Sequence, residues 1–215
     1  MLELMVERLR DVSLLDEIVI ATTTNSSDNP IVELADRLKI GVWRGSEHNV
    51  MDRVLSAAQH FHADVIVELT GDCPLIDPDI VQACILQWKA TGADYLANCL
   101  ERSFPIGMDT QVFWTKTLAD AAARTHDPDD QEHVSLFIYR NPTLYKLVNI
   151  TAPEAQRDPE LRLTLDTQDD YNLIQNIYNA FYVANPKFRL DDILNYLRSN
   201  PELRMMNSHV KHRYV

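Results

Sequence analysis

Glycine is scarce in this chain, five among 215 residues, and none of the five stands in a GxGxxG or GxxxxGK[ST] arrangement. The phosphate-cradling turns of dinucleotide-binding and P-loop proteins therefore have no counterpart, and the GxSxG elbow of an α/β-hydrolase is missing as well. Cysteine is equally sparse. Cys73, Cys84 and Cys99 form no CxxC pair and leave one over in any disulfide scheme, which points to reduced thiols in a cytoplasmic protein. The seven histidines are scattered without HExxH, so zinc lacks its usual ligand spacing. Cations are few: 20 Lys and Arg face 32 Asp and Glu, a net charge of −12, which argues against broad attraction to nucleic acid or an anionic membrane. No apolar run approaches the about 20 residues of a membrane helix, and the first residues lack a signal-peptide core.

What the chain has is apolar content, 46%, and an alternation of short β-rich runs with stretches of helical period. The length predicts one domain spanning residues 1–215. Strands are predicted over 17–23, 40–45, 64–72, 93–99, 109–114, 145–151 and 161–167. Helices are predicted over 2–10, 30–38, 49–61, 78–90, 115–123, 130–139, 169–182 and 190–199. This is the pattern of an α/β fold with a mainly parallel sheet. Asp77-Pro78-Asp79 reads as an N-cap, a first-turn proline and a dipole-matched acid.

Ligands of open α/β sheets gather beyond the carboxyl ends of strands. Asp72, at the end of VIVELTGD, and Asp166, at the end of LRLTLD, occupy two such ends. A pair of acids there suits Mg²⁺, which takes oxygen ligands and is commonly held by one or two carboxylates plus substrate phosphates. On spacing alone each acid is equally well a cap or turn former, and Asp77, Asp79, Asp169 and Asp170 read better as caps.

Seven segments taken in order carry a resemblance: EIVIATTTNSSDNPIVELA, VWRGSEHNVMDRVLSAA, ADVIVELTGDCPLIDPDIV, RSFPIGMDTQVF, DQEHVSLFIYRNP, LRLTLDTQDDYNLI and NPELRMMNSHVKHR. Together they resemble the sugar cytidylyltransferases, in the branch named for spore-coat polysaccharide biosynthesis and related to the acylneuraminate and Kdo cytidylyltransferases. The resemblance implies a Rossmann-like, nucleotide-diphospho-sugar transferase type of three-layer sandwich that transfers CMP from CTP to a sugar for surface polysaccharide synthesis. It further implies Mg²⁺ as cofactor, held by Asp72 and Asp166 as the catalytic acids, and a cytoplasmic homodimer. Arg44, Ser46 and Arg53 match the nucleotide-pocket segment, where surface arginines beside a helix are the plainer alternative. Arg102, Phe104, Pro105, Gly107 and Asp109, with Glu132 and His133, match the acceptor-sugar segments, while Gly107 also suits a turn and His133 a helix face. Asn207, His209 and Lys211 match the closing motif, to which the sequence assigns no role.

The family's opening strand and its GSTRLPGK-type phosphate loop have no match in these residues; the resemblance starts at the helix of residues 2–10. Two expectations follow. The first is an N-terminally truncated cytidylyltransferase, with a non-catalytic remnant of the fold, binding nucleotide weakly or serving as an oligomer subunit, as the alternative. The second is that the strands of 17–23 and 64–72, left without the strand that normally separates them, pair directly or have the slot between them filled. A metal-dependent glycosyltransferase ranks lower, since GDCP offers one acid where an Asp-x-Asp is needed.

Overall fold

The computed structural model describes residues 1–211. In chain order its elements are α1 (Leu2–Leu9), β1 (Val19–Thr23), α2 (Asn29–Leu38), β2 (Gly41–Gly45), α3 (Val50–His60), β3 (Val65–Glu68), α4 (Pro78–Thr91), β4 (Tyr95–Ala97), β5 (Gln111–Trp114), α5 (Thr115–Arg124), α6 (Pro128–Glu132), α7 (Leu136–Arg140), β6 (Leu147–Asn149), α8 (Gln168–Phe181), α9 (Leu190–Ser199) and α10 (Pro201–Arg204). The helix predicted over 130–139 is broken in two. Val134 takes a left-handed φ of 42°, and the neighbouring Ser135 hydroxyl donates to Gln111 Oε1 at 2.6 Å.

β1 and β2 pair in parallel as one two-stranded piece, and a four-stranded piece has the order β3-β5-β4-β6. In the larger piece β5 runs against β3 and β4, while β6 is parallel to β4. Three of its four strands thus share one direction, in a mixed sheet. The run 161–167 is not a strand of either piece; it forms a single parallel bridge, Ile106 with Arg162. Its backbone bonds are divided. Ile106 N–H donates to Leu161 O at 2.9 Å and Leu163 N–H to Ile106 O at 2.8 Å, but Leu165 N–H turns to Asp72 O at 2.8 Å.

Helices cover both faces. Alternation along β3 sends Val65 and Val67 toward the large apolar cluster that α1, α4, α8 and α9 share with the sheet, and Ile66 toward a smaller one with Met51, Tyr95, Phe113 and Leu118. Asp77 caps α4 as predicted, accepting from Asp79 N–H at 2.8 Å and also from Leu190 N–H. Buried Arg8 ties α1 down through Ile76 O at 2.7 Å and Phe188 O at 3.1 Å.

The two strands do not pair directly: among the described residues β1 bonds only to β2 and β3 only to β5, and no strand of this chain lies between them. Between them lies a cavity of about 1500 Å³ that runs from Ile18–Thr22 across to Val65–Thr70, over Leu2, Met5 and Val6. It opens near Leu14 and Leu86, both exposed. α3 packs against β1 and β2, and Val50, Val54 and Ala57 of α3 line the cavity together with residues of α1.

Candidate active site

Asp72 and Asp166, the two acids predicted at strand ends, are brought to one junction, although the run before Asp166 is not a strand. Leu165 N–H donates to the Asp72 carbonyl at 2.8 Å, which places the residue before Asp166 against Asp72. The Thr164 hydroxyl donates to Asp72 Oδ2 at 3.0 Å. Asp166 is held from the other side by Arg162, whose guanidinium it shares with Asp170. Arg162 and Asp170 are buried, whereas the Asp166 side chain is 56% exposed. Burial on its own pushes the Asp170 carboxyl up, but Arg162, Asn207 and the backbone N–H groups of Asp166 and Thr167 more than offset it and hold the group at about 2. Asp170 is thus a fixed anion that orients Arg162, and Arg162 in turn orients Asp166.

This donor set, carboxylate and hydroxyl oxygens with one acid open to solvent, fits a hard cation that completes its shell with water and phosphate. No cluster of three or more His, Cys, Asp or Glu able to hold a metal occurs among the described residues, so a protein-only cage is not the arrangement. Asn207 has a structural place: its amide donates to Arg162 O at 3.0 Å and Asp170 Oδ1 at 2.8 Å, pinning the C-terminal segment behind the junction. His209 lies 3.4 Å from Asp169, and Lys211 is exposed.

Four residues of the predicted acceptor segments line the large cavity, namely Arg102, Asp109, Glu132 and His133. Arg102 and Asp109 form a bidentate pair, both contacts at 2.7 Å. Phe104 and Gly107 do not line it. Phe104 is buried in the large cluster, and Gly107, at φ 101°, lets its loop approach Leu163, whose carbonyl carbon an added Cβ would meet at 2.7 Å. Both shape the site from behind, as does the buried Pro105.

The predicted nucleotide segment is mainly self-bonded. Arg44 donates to Thr23 O at 2.8 Å, Asn29 Oδ1 at 2.9 Å and Asn25 O at 2.7 Å, which ties the loop after β1 to β2. Ser46 Oγ accepts from Asn49 N–H at 3.0 Å. Arg53 donates to Ser46 O at 2.5 Å and borders the cavity, with an Nε that has no hydrogen-bond partner. Arg53 is therefore the member of this trio that faces the cavity.

Three contributors escaped the sequence reading. Arg162 could have been suspected from its spacing of four and eight residues to Asp166 and Asp170. Glu68 and Gln111, directly opposite one another on β3 and β5, gave no such signal, because their meeting depends on strand register.

Comparison with known proteins places this geometry in context. A family model described as Cytidylyltransferase matches residues 1–193. An uncharacterized protein of Methanocaldococcus jannaschii is 34% identical over 212 residues, 99% of this chain and 85% of that protein. The spore coat polysaccharide biosynthesis protein SpsF of Bacillus subtilis is 31% identical over 209 residues, 94% of this chain and 85% of that one. Among solved structures, a cytidylyltransferase from Leptospira borgpetersenii superposes with a TM-score of 0.89 at 28% identity, covering 100% of this chain and 87% of the other.

Proposed function

The chain belongs to the cytidylyltransferase family, and from that premise we propose that it transfers CMP from CTP to a hydroxyl of a sugar used in surface polysaccharide synthesis. The observation that carries this reading is the junction at Asp72 and Asp166, joined through Leu165 and Thr164, beyond the carboxyl end of β3, the side on which such sheets bind ligands.

In the transfer, the acceptor oxygen forms a bond to the α-phosphorus, the bond from that phosphorus to the β-phosphate oxygen breaks, pyrophosphate leaves, and the hydroxyl proton passes to a base. Asp72 and Asp166 would hold Mg²⁺, which when bound supplies neutralisation of phosphate charge that a protein of net charge −12 lacks. The chain's own residues orient the reactants. Arg162 and Thr164 fix the two acids, and Arg53 lies on the cavity wall toward β1. The part of the cavity wall formed by Arg102 and Asp109 faces the acceptor in this reading. The open slot between β1 and β3 supports a second part of the reading: full turnover needs a further strand and phosphate-binding segment across it. The alternative is a non-catalytic member of the fold that binds nucleotide only.

Pyrophosphate release from CTP, Mg²⁺ and candidate sugars tests the proposal, with the 215-residue protein compared with one extended upstream from its gene. Asp72→Asn and Asp166→Asn should each lower turnover by about 100-fold or more, the order seen when a group opposing transition-state charge is removed. Both proteins staying silent with every sugar, while still binding CTP, would favour the non-catalytic alternative.

A further inference from the structure

Each of the two acids at the junction has one carboxylate oxygen already engaged by the protein. At Asp72 the engaged atom is Oδ2, 3.0 Å from the Thr164 hydroxyl. That hydroxyl has one hydrogen and also lies 3.2 Å from the Asp72 carbonyl. The carbonyl already takes the Leu165 N–H, so the charged and nearer Oδ2 is the better acceptor. At Asp166 the engaged atom is again Oδ2, which accepts from Arg162 Nη2. Both donors are fixed from behind. Thr164 is 3% exposed and Arg162 4%, and the Asp170 carboxylate grips Arg162 at 2.9 and 3.0 Å.

The other two oxygens are open. Asp72 Oδ1 has only the Cys73 thiol, a weak donor, at 3.6 Å, and none of the described residues donates to Asp166 Oδ1. Asp72 is half-buried and Asp166 exposed, so solvent reaches the junction. An ion gripping either carboxylate through both oxygens would have to share Oδ2 with the donor already there. At Asp166 that donor is a guanidinium, so two cations would crowd one atom. The penalty falls unequally on different ions. Ca²⁺ fills a large shell, often with carboxylates held through both oxygens, whereas Mg²⁺ keeps a tight octahedral shell rich in water.

We propose that Thr164 and Arg162 set the cation preference of the site: each holds one acid to a single available oxygen, and together they favour Mg²⁺ over Ca²⁺. Both are positioning residues, acting through Asp72 and Asp166 as outer partners orient the ligands of a metal. The inference rests on the transfer reading above in taking those two acids as the holders of the ion. Its own content is the choice between ions, which the transfer reading leaves open.

The test uses Mn²⁺, an ion with the same taste for carboxylate and water, bound to the 215-residue protein and followed by electron paramagnetic resonance as Mg²⁺ or Ca²⁺ displaces it. In the unaltered protein Mg²⁺ should displace Mn²⁺ at a concentration about tenfold below that of Ca²⁺. Thr164→Val replaces the donor by a methyl group of similar size and should bring the two ions within about threefold of each other, chiefly by strengthening Ca²⁺. Arg162→Lys keeps the charge but cannot fork to both acids, and should narrow the gap in the same way; should it fold poorly, Thr164→Val decides. Equal displacement by the two ions in the unaltered protein, or a ratio unchanged in Thr164→Val, would overturn the proposal. So would failure of Mn²⁺ to bind, or Mn²⁺ that stays bound in both Asp72→Asn and Asp166→Asn, which would put the ion elsewhere. The expected preference without pyrophosphate release from CTP would sink the transfer reading and leave the choice of ion standing.

Discussion

The two pieces of the sheet are built to different standards. β4 and the middle of β5 are buried throughout, with Tyr95, Leu96, Ala97, Val112 and Phe113 all inaccessible. β1 and β2 reach only intermediate burial, apart from Thr22. The small piece is held at its margins instead, by the Trp43–His60 ring contact at 4.9 Å, the exposed Arg37–Glu3 ion pair, and Arg10 donating to Leu38 O at 2.5 Å. Exposed pairs of that kind contribute little. What differs is the number of bonded neighbours: β4 and β5 each have a strand on both sides, while β1 has only β2 and borders the cavity on its other edge. Stability in this protein is therefore concentrated on the side that carries the Asp166 junction and the Arg102–Asp109 pair.

The strongest way to break the comparison is to weaken the well-built side. Arg162→Met leaves Asp170, 0% exposed, without its cation, and loss of one partner of a buried pair costs about 3–5 kcal/mol. Chemical denaturation should show that loss, together with release of the C-terminal segment that Asn207 anchors; a change under about 1 kcal/mol would mean that Arg162 only orients Asp166. The comparison is sharpened by amide exchange. Amides of β1 and β2 should exchange on the order of 100-fold faster than those of β4 and β5, since opening free energies follow local burial. Equal protection would show that the small piece opens only with the whole.

The same contrast explains what the sequence could show. Six of the seven predicted strands form, because alternation and β-branched content report a half-buried surface whichever strand lies beside it. The seventh misled for a physical reason: Leu161 and Leu163 alternate with Arg162 as a strand would, but the backbone divides its bonds between Ile106 and Asp72. Asp72 and Asp166 were singled out from their positions at the ends of apolar runs, and the structure joins the two segments through Leu165 and Asp72. Glu68 was not singled out, since it lies inside the predicted run of 64–72, and only the register with Gln111 shows that it lines the cavity. Gly107 and Phe104 were legible as a motif but not as to role, which depends on the approach of Leu163.

Acid titration separates the two sides most gently. Asp28 closes the small piece by accepting from Thr23 Oγ1 at 2.6 Å, Thr22 Oγ1 at 2.7 Å and Thr23 N–H at 3.0 Å, and these bonds lower its carboxyl to about 2. Asp170 on the other side sits at about 2 as well. Both folded values lie below the ordinary 3.8, so each contributes stability that is complete above that pH and is lost as pH falls toward 2. Asp28 is half-buried and Asp170 buried, so screening makes the first loss the smaller and more local of the two. Asp28→Asn should therefore raise exchange at Thr22 and Thr23 at neutral pH and remove their further rise on acidification, while β4 and β5 keep the acid response set by Asp170. A fall in protection of β4 and β5 in the same variant would show that the two pieces are coupled across the slot despite sharing no strand pairing.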